Sequence, residues 1–142
     1  MVYGVSHHQL DGKNRFRVPS KMRAALGEGF VLCKGTSGCL FVFSAGEFSA
    51  YSAKLNGVPL GDKAAQKALR AFYSSAFGPE TDSQGRAILP AELKEHAGIV
   101  KDIVTVGVGT RAEIWSEERW TEYNKDTDVD KAFEALSANY KI

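Results

Sequence analysis

The 142-residue sequence has few of the residues that build metal centres or disulfide frameworks. It contains only two cysteines, Cys33 and Cys39, and three histidines, His7, His8 and His96. Because a metal site needs several ligands at matched spacing, these scattered residues predict no metal, and nothing else in the sequence predicts a cofactor. In a reducing compartment we expect both cysteines to be free, largely buried thiols.

Long hydrophobic runs are also missing. No apolar stretch approaches the roughly 20 residues that a membrane-spanning helix requires. The first residues, Met1 to Gly4, lack the basic and apolar regions of a secretory signal. With 44% hydrophobic and 25% charged residues, the composition is that of an ordinary globular protein. We therefore expect a cytoplasmic protein with no membrane partner.

The sequence contains no recognisable set of catalytic residues. Asp11, Asp82 and the three histidines could serve as acids or bases, but no nucleophile accompanies them. The glycine-rich segment Gly107–Gly109 lacks the lysine and hydroxyl residues of a phosphate-binding loop. We predict that the protein is not an enzyme and has no small-molecule substrate.

A pattern that occurs twice dominates what is present. The segment Asp11–Arg15 leads through alternating residues to Pro19 and a helical stretch, and Asp82–Arg86 leads in the same way to Pro90. Aspartate followed by Gly12 and Asn14, or by Gly85, is typical of a tight turn. Each half therefore predicts a strand, a turn, a second strand, a short helix and a strand pair.

Helices are predicted after each strand pair. Ser44 followed by Glu47 is a capping-box signature, so a helix should begin there. Asp62 should cap a longer helix that runs to about Ala76, and the tail after Asp128 is amphipathic. The aromatic residues of the two halves also correspond in position, as Phe48 with Trp120 and Tyr51 with Tyr123. We interpret them as core or lid residues, with base stacking as the alternative.

A half of about 45 residues is too small to bury a stable core. Two halves could solve this by interleaving their strands into one shared β-barrel, which would also remove exposed strand edges. The predicted fold class is therefore α+β, with two β-α-β-β repeats related by a pseudo-twofold axis and flanked by helices.

The charge is unevenly distributed, although the net charge is only +1. Residues 1–35 hold six cations against two acids, a balance of +4. Residues 116–142 hold four cations against seven acids, a balance of −3. This asymmetry is typical of a protein that meets an anionic polymer, although a solvated surface is the alternative.

Strand alternation predicts a cationic ridge in the first half, formed by Lys13, Arg15 and Arg17. The second half has only Arg86 at the matching positions, beside Gln84 and Ile88. We therefore expect the first half to supply most contacts to such a polymer and the second to be biased toward subunit packing. In the alternative interpretation, Arg15 and Arg86 are ion-paired to Asp11 and Asp82 and brace the turns.

The double Asp-x-x-x-Arg element, each followed by proline and a short helix, resembles the MraZ family, whose members are related to the AbrB/SpoVT swapped-hairpin regulators. The resemblance runs from Val5 to about Tyr123 and includes the Cys39-Leu40 strand and the Arg70/Phe72 element. One departure is Asn14, where the family usually has glycine; asparagine also tolerates a left-handed conformation.

The resemblance implies an AbrB-like double-split barrel. It also implies a double-stranded-DNA-binding transcriptional regulator of the division and cell-wall gene cluster, its own operon included. Such a protein would bind direct repeats near the promoter as a homo-oligomeric ring, and would be associated with the nucleoid. We expect repression, although the residues do not separate it from activation. The corresponding segments are repeat 1 (5–48), a helical connector (49–76), repeat 2 (77–120) and a helical tail (121–142).

Candidate DNA-binding residues follow from their chemistry. Arg15 can pair bidentately with guanine. The other first-half cations would contact phosphates, and Arg86 would contribute from the second half. These phosphate-binding candidates are Lys13, Arg17, Lys21 and Arg23. The alternative function is an antitoxin-like or scaffold protein on the same barrel, for which DNA binding is secondary.

Overall fold

The computed structural model describes residues 1–142 and is an α+β structure of seven strands, six α-helices and one 3₁₀ helix. The strands are β1 (Val5–Gln9), β2 (Arg15–Arg17), β3 (Val31–Lys34), β4 (Leu40–Phe43), β5 (Arg86–Ile88), β6 (Asp102–Gly107) and β7 (Ala112–Ser116). The α-helices are α1 (Ser20–Leu26), α2 (Ala45–Leu55), α3 (Lys63–Ser75), α4 (Ala91–His96), α5 (Glu117–Asn124) and α6 (Val129–Asn139), and the 3₁₀ helix is Thr36–Gly38. None of the helices combines the length and apolar character needed to cross a bilayer.

Strands from the two halves of the chain are hydrogen-bonded to one another in both sheets. The larger sheet is antiparallel with the order β1-β6-β7-β4-β3, and the smaller pairs β2 with β5 alone. Strand β1 of the first half pairs with β6 of the second, from Val5 opposite Val106 to Gln9 opposite Asp102. The interleaving expected from the repeat is therefore present at the level of strand pairing.

The second half lacks the long first strand that the repeat predicts. In its place Phe77 forms a single bridge to Leu32 of β3, with both backbone hydrogen bonds at 2.8 Å. Proline at position 79 has no N–H to donate and restricts the residue before it. The pairing therefore stops at one bridge, although its position mirrors the pairing of β1 with β6.

Capping residues begin the helices that follow the strand pairs. The Ser44 hydroxyl accepts the Glu47 N–H at 3.1 Å, and the Asp62 carboxylate accepts the Ala65 N–H at 3.0 Å. Both predicted helix starts are therefore confirmed. The same arrangement recurs at Ser116, whose hydroxyl accepts the Arg119 N–H at 3.1 Å.

The main core lies between the two sheets and draws on both halves. Phe16 of β2 and Ala87 of β5 turn inward from the small sheet, and both are buried. They join Leu32, Leu40 and Ile103 of the large sheet in one cluster of 18 buried residues. Because neither half supplies this core alone, the two halves fold as one unit.

The paired aromatic residues pack mainly against other rings. Phe48 contacts Phe43 and Phe72, with ring centroids 6.1 and 5.8 Å apart, and Trp120 contacts the buried Trp115 at 5.6 Å. These contacts support the core interpretation for Phe48 and Trp120. Tyr123 also touches Trp115, although much of its surface remains exposed.

Both cysteines are buried free thiols, as the sequence predicts. Cys33 lies in β3, and Cys39 precedes β4. Burial raises the pKa of each thiol to about 12, so both remain protonated at neutral pH.

Candidate nucleic-acid interface

The two repeated motifs fold into the same turn. In the first, one Asp11 carboxylate oxygen accepts the backbone N–H groups of Lys13 and Arg15, both at 2.9 Å. In the second, Asp82 accepts those of Gln84 and Arg86 at the same distances. The aspartate therefore organises each turn by satisfying donors that the tight backbone leaves free.

A left-handed residue precedes the arginine in both turns. Asn14 has φ +56° and Gly85 has φ +74°. The prediction that asparagine replaces the usual glycine without losing the turn is therefore confirmed. Asn14 also makes a contact with the second half of the chain, because its side-chain oxygen accepts a hydrogen bond from Lys94.

Each arginine of the motif is ion-paired to its own aspartate. The Nε of Arg15 lies 2.6 Å from Asp11, and the Nε of Arg86 lies 2.8 Å from Asp82. Arg15 also reaches Asp82 through Nη1 at 3.6 Å, which links the two turns. The ion pairs of the alternative interpretation are thus present, while 24% and 28% of the side-chain surfaces of Arg15 and Arg86 remain exposed.

These contacts keep the two aspartates ionised. The pKa of Asp11 is lowered to about 2, above all by the hydrogen bond from the Arg15 N–H and further by the Lys13 N–H and the Arg15 guanidinium. The pKa of Asp82 is lowered chiefly by the Arg86 N–H. Both carboxylates therefore carry full charge across the physiological range.

Pairing of β2 with β5 brings the motif cations of both halves onto one surface. The register sets Arg15 opposite Ile88, Phe16 opposite Ala87 and Arg17 opposite Arg86. Since the central pair is buried, side-chain alternation places the flanking residues on the outer face of this two-stranded ribbon. The halves thus contribute to one composite face.

The other three predicted DNA-binding cations lie outside strands β2 and β5. Lys13 lies in the turn outside β2 and is exposed, so strand alternation does not fix its direction. Arg23 on α1 donates to the Val18 carbonyl at 3.1 Å and borders the second turn at Gly85. Lys21 donates instead to the carbonyl of Val5, at the end of β1 that is distant from the first turn. Of the six predicted cations, Lys21 alone is therefore engaged away from the turns.

Lys94 is a member of the same surface that the sequence analysis missed. Its ammonium donates to the Asn14 side chain at 2.9 Å, so a helix of the second half supports the turn of the first. Arg23 makes the reciprocal approach to Gly85. The repeat itself contained the signal, because Lys94 occupies the position in α4 that Arg23 occupies in α1.

The composite face is open and moderately cationic. A cleft of about 440 Å³ separates the ribbon from β1, and His8, Asp11, Arg15, Arg17 and Arg86 are among its lining residues. Around the ribbon and its flanking clefts, six cations meet four carboxylates, for a net charge of +2. The cations are Lys13, Arg15, Arg17, Arg23, Arg86 and Lys94, and the acids are Asp11, Glu28, Asp82 and Glu95. Such a face can bind an extended anion through several guanidinium and ammonium groups.

A family model and the named relatives of this chain agree with one another. The family model described as "MraZ protein, putative antitoxin-like" matches residues 1–71 and again residues 72–139. A relative from Thermoanaerobacter sp. (strain X514), named "Transcriptional regulator MraZ", is 47% identical over 137 residues, which cover 96% of this chain and 94% of the relative. Relatives of the same name come from Clostridium beijerinckii, at 46% identity over 96% of this chain and 97% of the relative, and from Symbiobacterium thermophilum, at 49% identity over 87% and 89%.

Proposed function

The chain belongs to the MraZ family, and from this premise we propose that it is a transcriptional regulator that binds double-stranded DNA through the β2–β5 ribbon. The family assignment covers both halves of the chain. Its relatives are named as transcriptional regulators. The ribbon supplies the chemistry that such a role requires, because cations of both motifs lie on its outer face.

The single observation that carries the proposal is the joining of the two motifs in one surface. Arg17 makes no ion pair and lies opposite Arg86, whose Nε is held by Asp82. A bound guanidinium Nε leaves the terminal nitrogens of that arginine available to donate elsewhere. The aspartates therefore orient Arg15 and Arg86 without removing all of their donors.

We assign roles to these residues by their position. Arg15 and Arg86 are oriented by carboxylates and suit a base edge in the major groove, where arginine pairs bidentately with guanine. Arg17, Lys13 and Arg23 suit phosphate contacts along the same face. The Lys21 ammonium is held at the Val5 carbonyl, away from the two turns, so we expect its contribution to be smaller.

The interleaved strands agree with an AbrB-like double-split barrel, which we propose as the fold type. Its parts would be repeat 1 (residues 5–48), a helical connector (49–76), repeat 2 (77–120) and a helical tail (121–142). The ribbon would then be the shared element at which the two repeats present DNA-binding residues together.

We further propose that the protein acts in the cytoplasm on nucleoid DNA as a ring of identical subunits. Its sites would be direct repeats near the promoter of its own operon, within the division and cell-wall gene cluster. A net charge of +2 on one face predicts weak binding by one subunit at cellular salt. Several linked subunits on repeated sites can raise the affinity by about two to four orders of magnitude.

A gel-shift titration tests the ribbon as the DNA-binding surface. The probe is the region upstream of the protein's own gene, and the variants are Arg15→Ala, Arg17→Ala and Arg86→Ala. Each should weaken binding by about 5- to 150-fold if it removes a base contact, and by less if it removes a phosphate contact. Lys54→Ala is the matched control, since it removes an exposed cation outside the ribbon. Equal affinity of the wild type and all three variants would refute the assignment.

The family description also names an antitoxin-like role, which is the second candidate function. An antitoxin or scaffold would retain a protein partner independently of the ribbon cations. Affinity capture with parallel sequencing of bound DNA and identification of bound protein separates the two. Recovery of a stoichiometric protein partner without enrichment of any DNA sequence would favour the second candidate.

A further inference from the structure

Helix α6 lies apart from the rest of the molecule with its apolar side exposed. Val129, Phe133, Leu136 and Tyr140 follow one another at helical spacing, and all are exposed to solvent; for Phe133 the exposed fraction is 58%. The helix forms no extensive packing with any other element of the chain. An exposed apolar stripe of this kind marks a surface that another helix or protein covers.

The length of α6 supports the same conclusion. It has 11 residues, and isolated helices shorter than about 12–15 residues are marginal in water. The Asp128 cap, which accepts the Lys131 N–H at 3.2 Å, helps to start the helix but does not bury its apolar side. Packing against a partner would supply the missing stabilisation.

Acidic residues flank the apolar stripe on one side only. At about 100° per residue, Asp130 and Glu134 lie next to Phe133, while Lys131 lies on the far side of the helix. The surface that covers α6 should therefore combine small or apolar contacts with cations along one edge.

The outer face of α3 has these properties. Its exposed cations Lys63, Lys67 and Arg70 form one line along the helix, opposite the side that packs on β3 and on the aromatic rings of α2. The small exposed residues Ala64, Ala68 and Ala71 form the neighbouring line. Just before the helix, Leu60 is 88% exposed and adds an apolar side chain at the start of this face.

We propose that α6 of one subunit packs on the outer face of α3 of a second copy of this chain. The apolar stripe of α6 would cover the alanine line, while Asp130 and Glu134 would meet Lys67 and Arg70. When the two helices run in the same direction, the apolar stripe faces the alanine line and the acidic residues face the cations. This orientation also brings Val129 near Leu60. This inference rests on the proposed ring, for which it supplies the contact between neighbours.

The contact joins two different surfaces, so every subunit offers one of each to its neighbours. Such a head-to-tail interface forms a ring when the rotation closes. Within one chain α6 has no extensive contact with α3, and the residues of both surfaces are exposed, so the two surfaces are free to meet those of other copies. Neither helix contributes a residue to the β2–β5 ribbon.

Charge reversal provides the test, with native mass as the measurement. Variant A carries Asp130→Lys and Glu134→Lys, and variant B carries Lys67→Glu and Arg70→Glu. Each alone should lose assembly and approach the 15.5 kDa mass of one chain, because like charges now face each other. An equimolar mixture of A and B should assemble again with alternating subunits, and so should a chain that carries all four substitutions.

Lys131→Glu is the matched control, since it reverses a charge on the far side of α6 and should leave the assembly unchanged. Circular dichroism confirms that each variant is folded. Wild-type mass for A and B, or loss of assembly in A and B without recovery in the mixture, would overturn this interface. A wild-type protein that runs as a single chain would instead overturn the proposed ring, and the gel shift tests DNA binding separately.

Discussion

Arg17 lies directly opposite Arg86 across the antiparallel β2–β5 ribbon. Like charges in facing positions destabilise a strand pair, so this pairing is unfavourable on its own. The register is nevertheless fixed by the adjacent buried pair, Phe16 and Ala87, because a slip of one residue would put them on opposite faces and turn one of them out of the core. A bound anion between the two arginines would remove the repulsion, which makes this point the expected centre of DNA contact.

The two arginines of β2 should respond differently to truncation. Arg17→Ala should change the free energy of unfolding by no more than about 0.5 kcal/mol, since it breaks no ion pair and relieves repulsion. Arg15→Ala should lower the urea midpoint, because it leaves Asp11 without its guanidinium partner. Both should weaken DNA binding. Urea unfolding beside the gel shift makes the distinction, and a larger loss of stability in Arg17→Ala would contradict it.

Acid should weaken the fold through the turn aspartates. The folded-state pKa of Asp11 is about 2, below its usual value of 3.8, and that of Asp82 is also lowered. A carboxylate whose pKa is lowered by folding stabilises the folded state at pH values above the pKa of the unfolded chain. This stabilisation is lost as the pH falls from about 4 toward 2. Urea unfolding between pH 6 and pH 2 measures it. Asp11→Asn should show a shallower loss over the same range; an unchanged slope would count against this origin.

The left-handed residues of the two turns predict how small substitutions there change stability. Gly85→Ala should cost about 1–2 kcal/mol, because alanine resists the φ of +74° at this position. Asn14→Ala should also be destabilising, since it keeps an unfavourable φ and loses the hydrogen bond from Lys94. Asn14→Gly is the control that relieves the φ while losing the same bond. Thermal unfolding of all three should rank Asn14→Gly as the mildest.

Arg119 should be important for stability although it lies on the surface. Its Nη1 donates to the carbonyls of Gly38 at 3.1 Å and of His96 at 2.8 Å, so it joins α5 to two loops. Arg119→Ala should cost about 1–2 kcal/mol. Thr121→Ala, an exposed change on the same helix, should cost little. Equal urea midpoints for the two variants would show that the bridging hydrogen bonds contribute nothing.

The thiols should resist modification in the folded protein. Cys33 and Cys39 are buried and their pKa values are raised to about 12, so little thiolate is present at pH 8. Reaction with a disulfide reagent should be at least ~10-fold slower in buffer than in urea. Rapid labelling of two thiols in the folded protein would contradict the buried environment.

The features that depend on nearby residues could be predicted from the sequence. The Asp11 and Asp82 turns, the left-handed Asn14 and the caps at Ser44 and Asp62 all form contacts within four residues. Their geometry follows from side-chain and backbone chemistry that any structure would share. The repeat also predicted that each half would need strands of the other.

The composite surface required information that local patterns do not contain. Whether Arg17 faces Arg86 depends on the register between two strands that are distant in sequence. The Lys94–Asn14 contact also crosses from one half to the other, and only the comparison of Lys94 with Arg23 hinted at it. The second half lacks its first strand because Pro79 limits the pairing to one bridge. Comparison of the two repeats did not predict this difference.

The pairing of β1 with β6 also bears on how the protein could be cut. A protease that cleaved the exposed loop between α2 and α3 would leave every ladder between the halves intact. The two fragments should then remain together until a denaturant separates them. Produced separately, each would expose unpaired backbone groups along a strand that invites aggregation. Because the two halves are joined in one chain, each unpaired strand edge stays close, during synthesis, to the strand that will cover it.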